Sequence, residues 1–373
     1  MQKKILFLIP SLEVGGGAEK IVSSLTIKFS ERYEVFIITY YNIKDNYPFK
    51  GRFFSFRLKL KSWKRLLLPI KIYKLTKLIT PNLIISFMDH TNALAIVTKI
   101  LFGIKTPLVV SVRCNPRLQY KEELRYLNFL IRVMYPSKLV NKVITNSKGV
   151  EKILENDYRI ESNKLKTIYN GVDLERINQM KNEKIYDHKE LFYDEDIIKF
   201  ITIGRLIDLK GHKHLIEAYS EVKKELSHSK LIIIGEGPLR EELKCQIKLK
   251  GLEDDVFLLG MKKNPYKYLA KSDIFVLSSK RESFPNVLLE ALACGLPIIS
   301  TDCETGPREI LGGGKYGLLV NVLDNEDLKK KMVYLSKNKK VMVKFSNLSL
   351  KRAEYFNLNK IIDIWINTIN NEL

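Results

Sequence analysis

The chain has little cysteine, and the four residues it has, Cys114, Cys245, Cys294 and Cys303, stand far apart. No paired spacing points to a zinc site or a disulfide framework, and scattered thiols suit a reducing cytoplasm. Long apolar runs are missing as well. The longest, such as LIISFM and IIIG, have strand length and fall well short of the roughly 20 apolar residues of a membrane span. The opening MQKKILFLIP leads into Glu13 and a glycine cluster rather than a small-residue cleavage site, so it reads as a first β-strand and not a signal peptide. Internal repeats and low-complexity segments are absent beyond some Lys-rich runs. One long stretch, Arg52 to Lys77, lacks acidic residues altogether.

What is present is ordinary in amount and unusual in charge. At 373 residues the expectation is two domains of common size. Hydrophobic residues at 45% and charged residues at 28% exclude wholesale disorder. The net charge is +21, and residues 1–170 carry 30 cations against 12 anions, so the excess belongs to the first half. Within Arg52–Lys77, nine Lys and Arg alternate with Phe53, Phe54, Phe56, Trp63, Leu66, Leu67 and Leu68. Such a mixture suits an anionic lipid surface. A nucleic acid is the rival partner, and a plain solvated face is the bland alternative.

Strand patterns alternate with helical patterns throughout, which predicts an α/β fold of parallel sheets. The first series is KILFLIP, EVFIITY, LIISF, PLVVSV and KVITN. A break falls near TIYNGVDLERINQ and a polar stretch follows. The second series is IKFITIG, KLIIIG, DVFLLG, DIFVLS, LPIIS and GLLV. The expectation is two doubly wound domains, residues 1–170 and 171–355, hinged near Asn170–Asp173. The apolar tail, residues 356–373, forms a helix that packs back, on the first domain. Ligands of open α/β sheets sit at the carboxyl ends of strands, so facing domains would leave a ligand cleft.

Three segments carry chemistry. After the first strand, GGGAEK lets backbone approach a ligand at a helix N-terminus, although it lacks the dinucleotide spacing G-x-G-x-x-G. In GRLIDLKG, Arg205 ends a strand and Lys210 follows in the loop; two fixed cations at a strand end suit a diphosphate. In DIFVLSSKRESFPNVLLEALACGLPIIS, Glu282 lies in the loop after a buried strand and Glu290 eight positions on. Carboxylates there can accept hydrogen bonds from paired sugar hydroxyls, and amides near Asn286 and Val287 open a helix. His212 and His214 fall in a helix start and read as surface or core.

Taken in order, the glycine loop, VITNSKG, YNGVD, GRLIDLKG, the ESFPNVLLE pair, ALACGLPIIS and the returning helix resemble glycosyltransferase family 4. These are retaining enzymes of GT-B architecture, two Rossmann-like domains about a central cleft. The likeness is strongest to bacterial members building lipid-linked oligosaccharide, O-antigen and capsule. The resemblance implies that Gly204, Arg205 and Lys210 hold the donor diphosphate, with Gly16 and Gly17 admitting phosphates from the first domain. It implies that Glu290 binds ribose, that Glu282 contacts the transferred sugar, and that Phe284, Pro285, Asn286 and Val287 lie beside it. His90, or its neighbour Asp89, would stand beside the reacting sugar, and Arg113 and Asn115 would face the acceptor. Three positions depart from the common pattern: Lys20 for arginine, Ser283 for glycine, and the loose SFMDHTN.

The implied reaction moves a hexose or N-acetylhexosamine from a nucleotide sugar, with UDP expected, to a polyprenyl-diphosphate-linked saccharide. It would run at the inner face of the cytoplasmic membrane without embedding. Side-chain cations would stabilise the departing diphosphate. No Asp-x-Asp pair sits in a loop placed for a metal, so neither metal nor cofactor is expected, and no nucleic-acid partner. The alternatives are a GT-B epimerase, which would need no acceptor, and a basic non-catalytic binder of membrane or nucleic acid, which would turn over no donor.

Overall fold

A computed structural model of the chain describes residues 2–13, 16–41, 46–59, 63–119 and 125–373. Of residues 63–64, 118–119 and 125–127 it describes the backbone alone. Gly15 of the glycine cluster and Lys61 of the basic stretch therefore lie outside the described residues, as does the Lys64 side chain. The chain forms two compact units. One comprises residues 1–170 and 359–373, the other residues 171–358.

The first unit is built on β1 (Lys4–Leu8), β2 (Glu34–Tyr41), β3 (Arg52–Leu58), β4 (Leu83–Phe87), β5 (Leu108–Val112), β6 (Lys142–Thr145) and β7 (Leu165–Thr167). The sheet order is β3-β2-β1-β4-β5-β6-β7, and every neighbouring pair runs parallel. Strands such as LIISF and LVVSV are buried on both faces, as a parallel sheet covered by helices requires. The second unit repeats the plan with β8 (Ile198–Ile203), β9 (Ser229–Ile234), β10 (Val256–Gly260), β11 (Ile274–Leu277), β12 (Ile298–Thr301) and β13 (Leu318–Val320). Its order is β10-β9-β8-β11-β12-β13. In both sheets the order reverses beside the first strand, between β1 and β4 and between β8 and β11. Loops leaving these strand pairs diverge to opposite faces and open a crevice at the carboxyl end.

Two strands escape the sequence pattern. β3 lies inside the acid-free stretch, where alternation of Arg with Phe marks an edge strand; Phe54 and Phe56 pack on the core while Arg52 and Arg57 stay outside. The stretch is thus divided between this strand and the helix Leu68–Ile79, not one continuous surface. β7 is only three residues long, too short for periodicity to register.

The tail forms the helix Leu358–Asn370, and its Trp365 is fully buried in the first unit, stacked on Phe87 at 5.7 Å. Tyr33 adds a hydrogen bond from its hydroxyl to Asn370 Oδ1 at 2.7 Å. Near the division between the units, the two crossing segments pair. Val172 N–H donates to the Phe356 carbonyl at 2.8 Å, and Leu358 N–H to the Val172 carbonyl at 2.9 Å.

Candidate active site

In the second unit, three loops meet at the reversal point of the sheet. The loop after β8 carries Gly204 and Arg205, then a single 3-10 turn, Asp208–Lys210. Gly211 ends that turn at φ +66°, where a Cβ would run into the Ser278 carbonyl; only glycine lets the Lys210 loop close on the end of β11. The contact is then stitched. Ser278 Oγ donates to the Lys210 carbonyl at 3.0 Å, Lys280 N–H to the Leu209 carbonyl at 2.9 Å, and Lys280 Nζ to Asp208 Oδ1 at 2.8 Å.

The result brings two of the sequence-derived residues together: Lys210 Nζ donates to Glu282 Oε1 at 2.6 Å, and Ser279 Oγ donates to the same oxygen at 2.7 Å. Both side chains of the ion pair are largely buried, which strengthens the pair and also makes a lone partner costly. The end of β12 and the loop after it hold the backbone of the Glu282 loop. Thr305 Oγ1 donates to the Glu282 carbonyl at 2.6 Å, and Thr301 Oγ1 to the Ser279 carbonyl at 2.7 Å. Gly306, at φ +92°, approaches Ser283 so closely that a Cβ would lie 2.5 Å from its carbonyl oxygen.

Beyond Glu282, Phe284 is buried with its ring edge-on to Phe356 at 5.6 Å. It anchors Pro285, the cap of the helix Asn286–Ala293. That helix starts beside the Glu282 loop, so its first-turn amides, Val287 among them, point a partial positive charge outward. Glu290 sits on the same helix and is buried. Arg205 is exposed, with no side-chain partner among the described residues. The geometry joins Lys210 to Glu282 and leaves Arg205 separate. Arg308 pairs with Asp302.

Sequence reasoning passed over Ser279, Thr305 and Gly211; it read His212 as surface or core, and the structure buries it. His212 is 3% exposed and lies against Gly204, which the Lys210 stem also flanks. Burial, reinforced by the Lys210 charge, pulls its imidazole down to about 4. Its position directly after Lys210-Gly211 was the available signal.

The first unit assembles a second cluster at its own reversal point. Gly16 caps the helix Gly17–Phe29 in an extended conformation, and the Glu19 carboxylate lies directly over it. A phosphate at this helix start would have to displace that carboxylate. After β4, Met88 adopts φ +74° ahead of the helix Asp89–Phe102, a strained conformation for a side-chain-bearing residue. The turn buries Asp89, which accepts from Tyr135 Oη at 2.7 Å and Cys114 Sγ at 3.0 Å. Asn92 Nδ2 donates to the Tyr135 hydroxyl at 2.9 Å. Burial first, then the Asp89 charge, hold the Tyr135 phenol well above its ordinary value. His90, one residue on, is exposed, and desolvation lowers its pKa against the opposing pull of Asp89.

The remaining two candidates are engaged internally. Arg113 lies against the rings of both Phe87 and Trp365, at 5.2 and 5.5 Å, and donates from Nη1 to Asn170 Oδ1 at 3.0 Å. Burial pulls its guanidinium to about 9. Asn115 Oδ1 accepts from Arg117 N–H at 3.0 Å and so caps the short helix Pro116–Gln119.

Comparison with known proteins agrees with this architecture. The family model for glycosyl transferases group 1 matches residues 183–352, and that for glycosyltransferase family 4 matches residues 15–176. An uncharacterised glycosyltransferase of Methanocaldococcus jannaschii is 34% identical over 347 residues, 82% of this chain and 85% of its own. A Campylobacter jejuni relative is also 34% identical, over 93% of this chain and 94% of its own. It is named N-acetylgalactosamine-N,N'-diacetylbacillosaminyl-diphospho-undecaprenol 4-alpha-N-acetylgalactosaminyltransferase. Among solved structures, Anabaena HepE in complex with UDP superposes with a TM-score of 0.82 at 20% identity, covering 99% of this chain and 100% of that one. The two parallel-sheet units and these structural neighbours define a GT-B fold. The chain belongs to glycosyltransferase family 4 and is a glycosyltransferase.

Proposed function

We propose that the protein transfers a hexose or N-acetylhexosamine, with retention, from a UDP-sugar to a saccharide carried on a polyprenyl diphosphate. The observation that carries this reading is the convergence of Lys210, Glu282 and the start of the helix Asn286–Ala293 at the reversal point of the second sheet. Cation and helix-start amides are what a departing diphosphate needs. Arg205, exposed on the same loop, is free to join them. Buried Glu290 is assigned to the ribose hydroxyls. Glu282, held by Lys210 and Ser279 in the resting protein, is assigned to the transferred sugar. The UDP in the Anabaena neighbour and the diphospho-undecaprenol in the Campylobacter relative's name support the choice of donor and acceptor.

In the first unit the exposed His90 is the group assigned to the reacting sugar, with Asp89 as the buried anchor of its turn. Arg113 and Asn115 shape the acceptor side from beneath. Residence at the inner membrane face is supported by exposed Leu66, Leu67 and Leu78 among Lys71, Lys74 and Lys77. Among the described residues no helix is long and apolar enough to cross a membrane.

The test is a screen of nucleotide sugars for release of nucleoside diphosphate, with and without a polyprenyl-diphosphate-linked saccharide. Acceptor-dependent UDP release is the expected result. Acceptor-independent turnover to an isomerised sugar would favour an epimerase instead.

A further inference from the structure

His212 presents a problem that packing alone does not solve. It opens the helix His212–Glu225, is 3% exposed, and neither ring nitrogen has a hydrogen-bond partner among the described residues. A neutral imidazole carries one donor and one acceptor, and buried polar atoms left unpaired destabilise a fold. A leucine or methionine would occupy the same space without that penalty. An unsatisfied polar group retained in a buried position is expected where function needs it.

Its surroundings say what function. A Cβ placed on Gly204 would lie 3.4 Å from the imidazole Cε1 and 3.6 Å from Cγ and Cδ of Lys210. The ring and the Lys210 stem therefore both flank the bare Cα of Gly204, just after β8. The charge that acts on it is that of Lys210, on the loop that leads into its helix, and Lys210 is in turn held by Glu282. The first amides of a 14-residue helix open at the same point and favour an anion. With its pKa held down to about 4, the ring is neutral at physiological pH and offers one N–H.

We propose that His212 is a further donor-binding residue, whose ring N–H donates to an oxygen of the nucleoside diphosphate beside Lys210. The inference rests on the nucleotide-sugar reading above. The contact satisfies the imidazole in the liganded enzyme and leaves it unsatisfied in the free one. His212 thus trades stability of the free protein for affinity toward the diphosphate.

The experiment is calorimetric titration of the wild type, His212→Leu, His212→Met and His212→Gln with uridine, UMP and UDP, alongside thermal unfolding of each. The Leu and Met variants are expected to unfold at the same or a higher temperature than the wild type. Uridine affinity should stay within about twofold, while UDP affinity falls about tenfold, the scale of one hydrogen bond to a charged group. His212→Gln keeps an N–H in a similar volume and should recover most of that loss. If either apolar variant binds UDP as the wild type does, His212 is a packing residue and the proposal falls. An equal loss for uridine, UMP and UDP would also overturn it, because the effect would then be on the loop and not on the diphosphate. Wild type that binds none of the three, with no other nucleoside diphosphate bound either, would remove the donor reading itself and this inference with it.

Discussion

Lys210 and Glu282 lie 72 residues apart in sequence and share a hydrogen bond of 2.6 Å. Neither charge is fully hydrated, so removing one leaves the other poorly compensated. Lys210→Ala should lower turnover at least about 100-fold, the effect of deleting a donor aimed at developing negative charge. Single-turnover kinetics on the folded variant check this, and near-normal rates would remove Lys210 from the diphosphate. The two carboxylates should separate by ligand. Glu290→Ala is expected to weaken bare UDP, whereas Glu282→Ala should spare UDP and impair transfer. Titrating both variants with UDP and with the UDP-sugar decides it, and equal loss of UDP affinity in both would refute the division. The candidate residue types and their spacing could be read from the sequence, because Arg205, Lys210, Glu282 and Glu290 lie in short motifs bounded by recognisable strands. The Lys210–Glu282 pairing was not, because it depends on how closely Gly211 lets two loops approach.

At the scale of elements, the helix Leu358–Asn370 shows how a local pattern acquires a role. Its apolar spacing could be read directly, but its partner could not. Trp365 packs against both Phe87 and Arg113, and its indole N–H has no partner among the described residues. Trp365→Ala should therefore cost about 3–5 kcal/mol, the range for a large aromatic lost from a core. Trp365→Phe should cost much less, since it keeps most of the volume and removes an unsatisfied donor. Chemical denaturation of both variants measures the difference; equal losses would mean that the N–H is satisfied after all.

The polar stretch after Asn170–Asp173 has its own anchor. Burial would raise the Asp187 carboxyl, but hydrogen bonds from Lys262 and from Tyr268 Oη, the latter at 2.6 Å, outweigh it and hold the group at about 2. A carboxylate depressed in the folded state stabilises above its ordinary value of 3.8 and loses that contribution as pH falls toward 2. Asp187→Asn should thus lower the melting temperature at pH 7 by a modest amount, the side chain being partly exposed, and the gap should close on acidification. A gap that persists unchanged down to pH 2 would assign the loss to packing. The edge strand β3 went unread for a related reason: its alternating Arg and Phe resemble a basic amphipathic surface until Phe54 and Phe56 are seen in the core.

For the whole molecule, charge is divided unevenly, with a net of +18 in residues 1–170 against +3 in the remainder. Each Lys or Arg near an anionic bilayer contributes on the order of 1 kcal/mol, falling off over roughly a Debye length. The protein should sediment with anionic but not neutral vesicles at low salt and release as salt rises. Reversing Lys71, Lys74, Lys77 and Arg57 should abolish this while UDP affinity is unchanged. No preference for anionic vesicles would leave these cations as ordinary solvated surface. Nucleic acid that outcompetes the vesicles would favour the rival partner.

The sequence by itself determined the α/β class, two series of parallel strands and the family, because strand periodicity and short glycine-punctuated motifs are local properties of the chain. It also placed the candidate cations and carboxylates at strand ends. Tertiary structure alone decided which of them touch. Strand order set β8 against β11 and so joined Lys210 to Glu282. The same long-range packing drew Arg113 against Phe87 and Trp365, and buried His212 beside Gly204 without a hydrogen-bond partner among the described residues. Burial is a property of neighbours distant in sequence, and no local pattern encodes it.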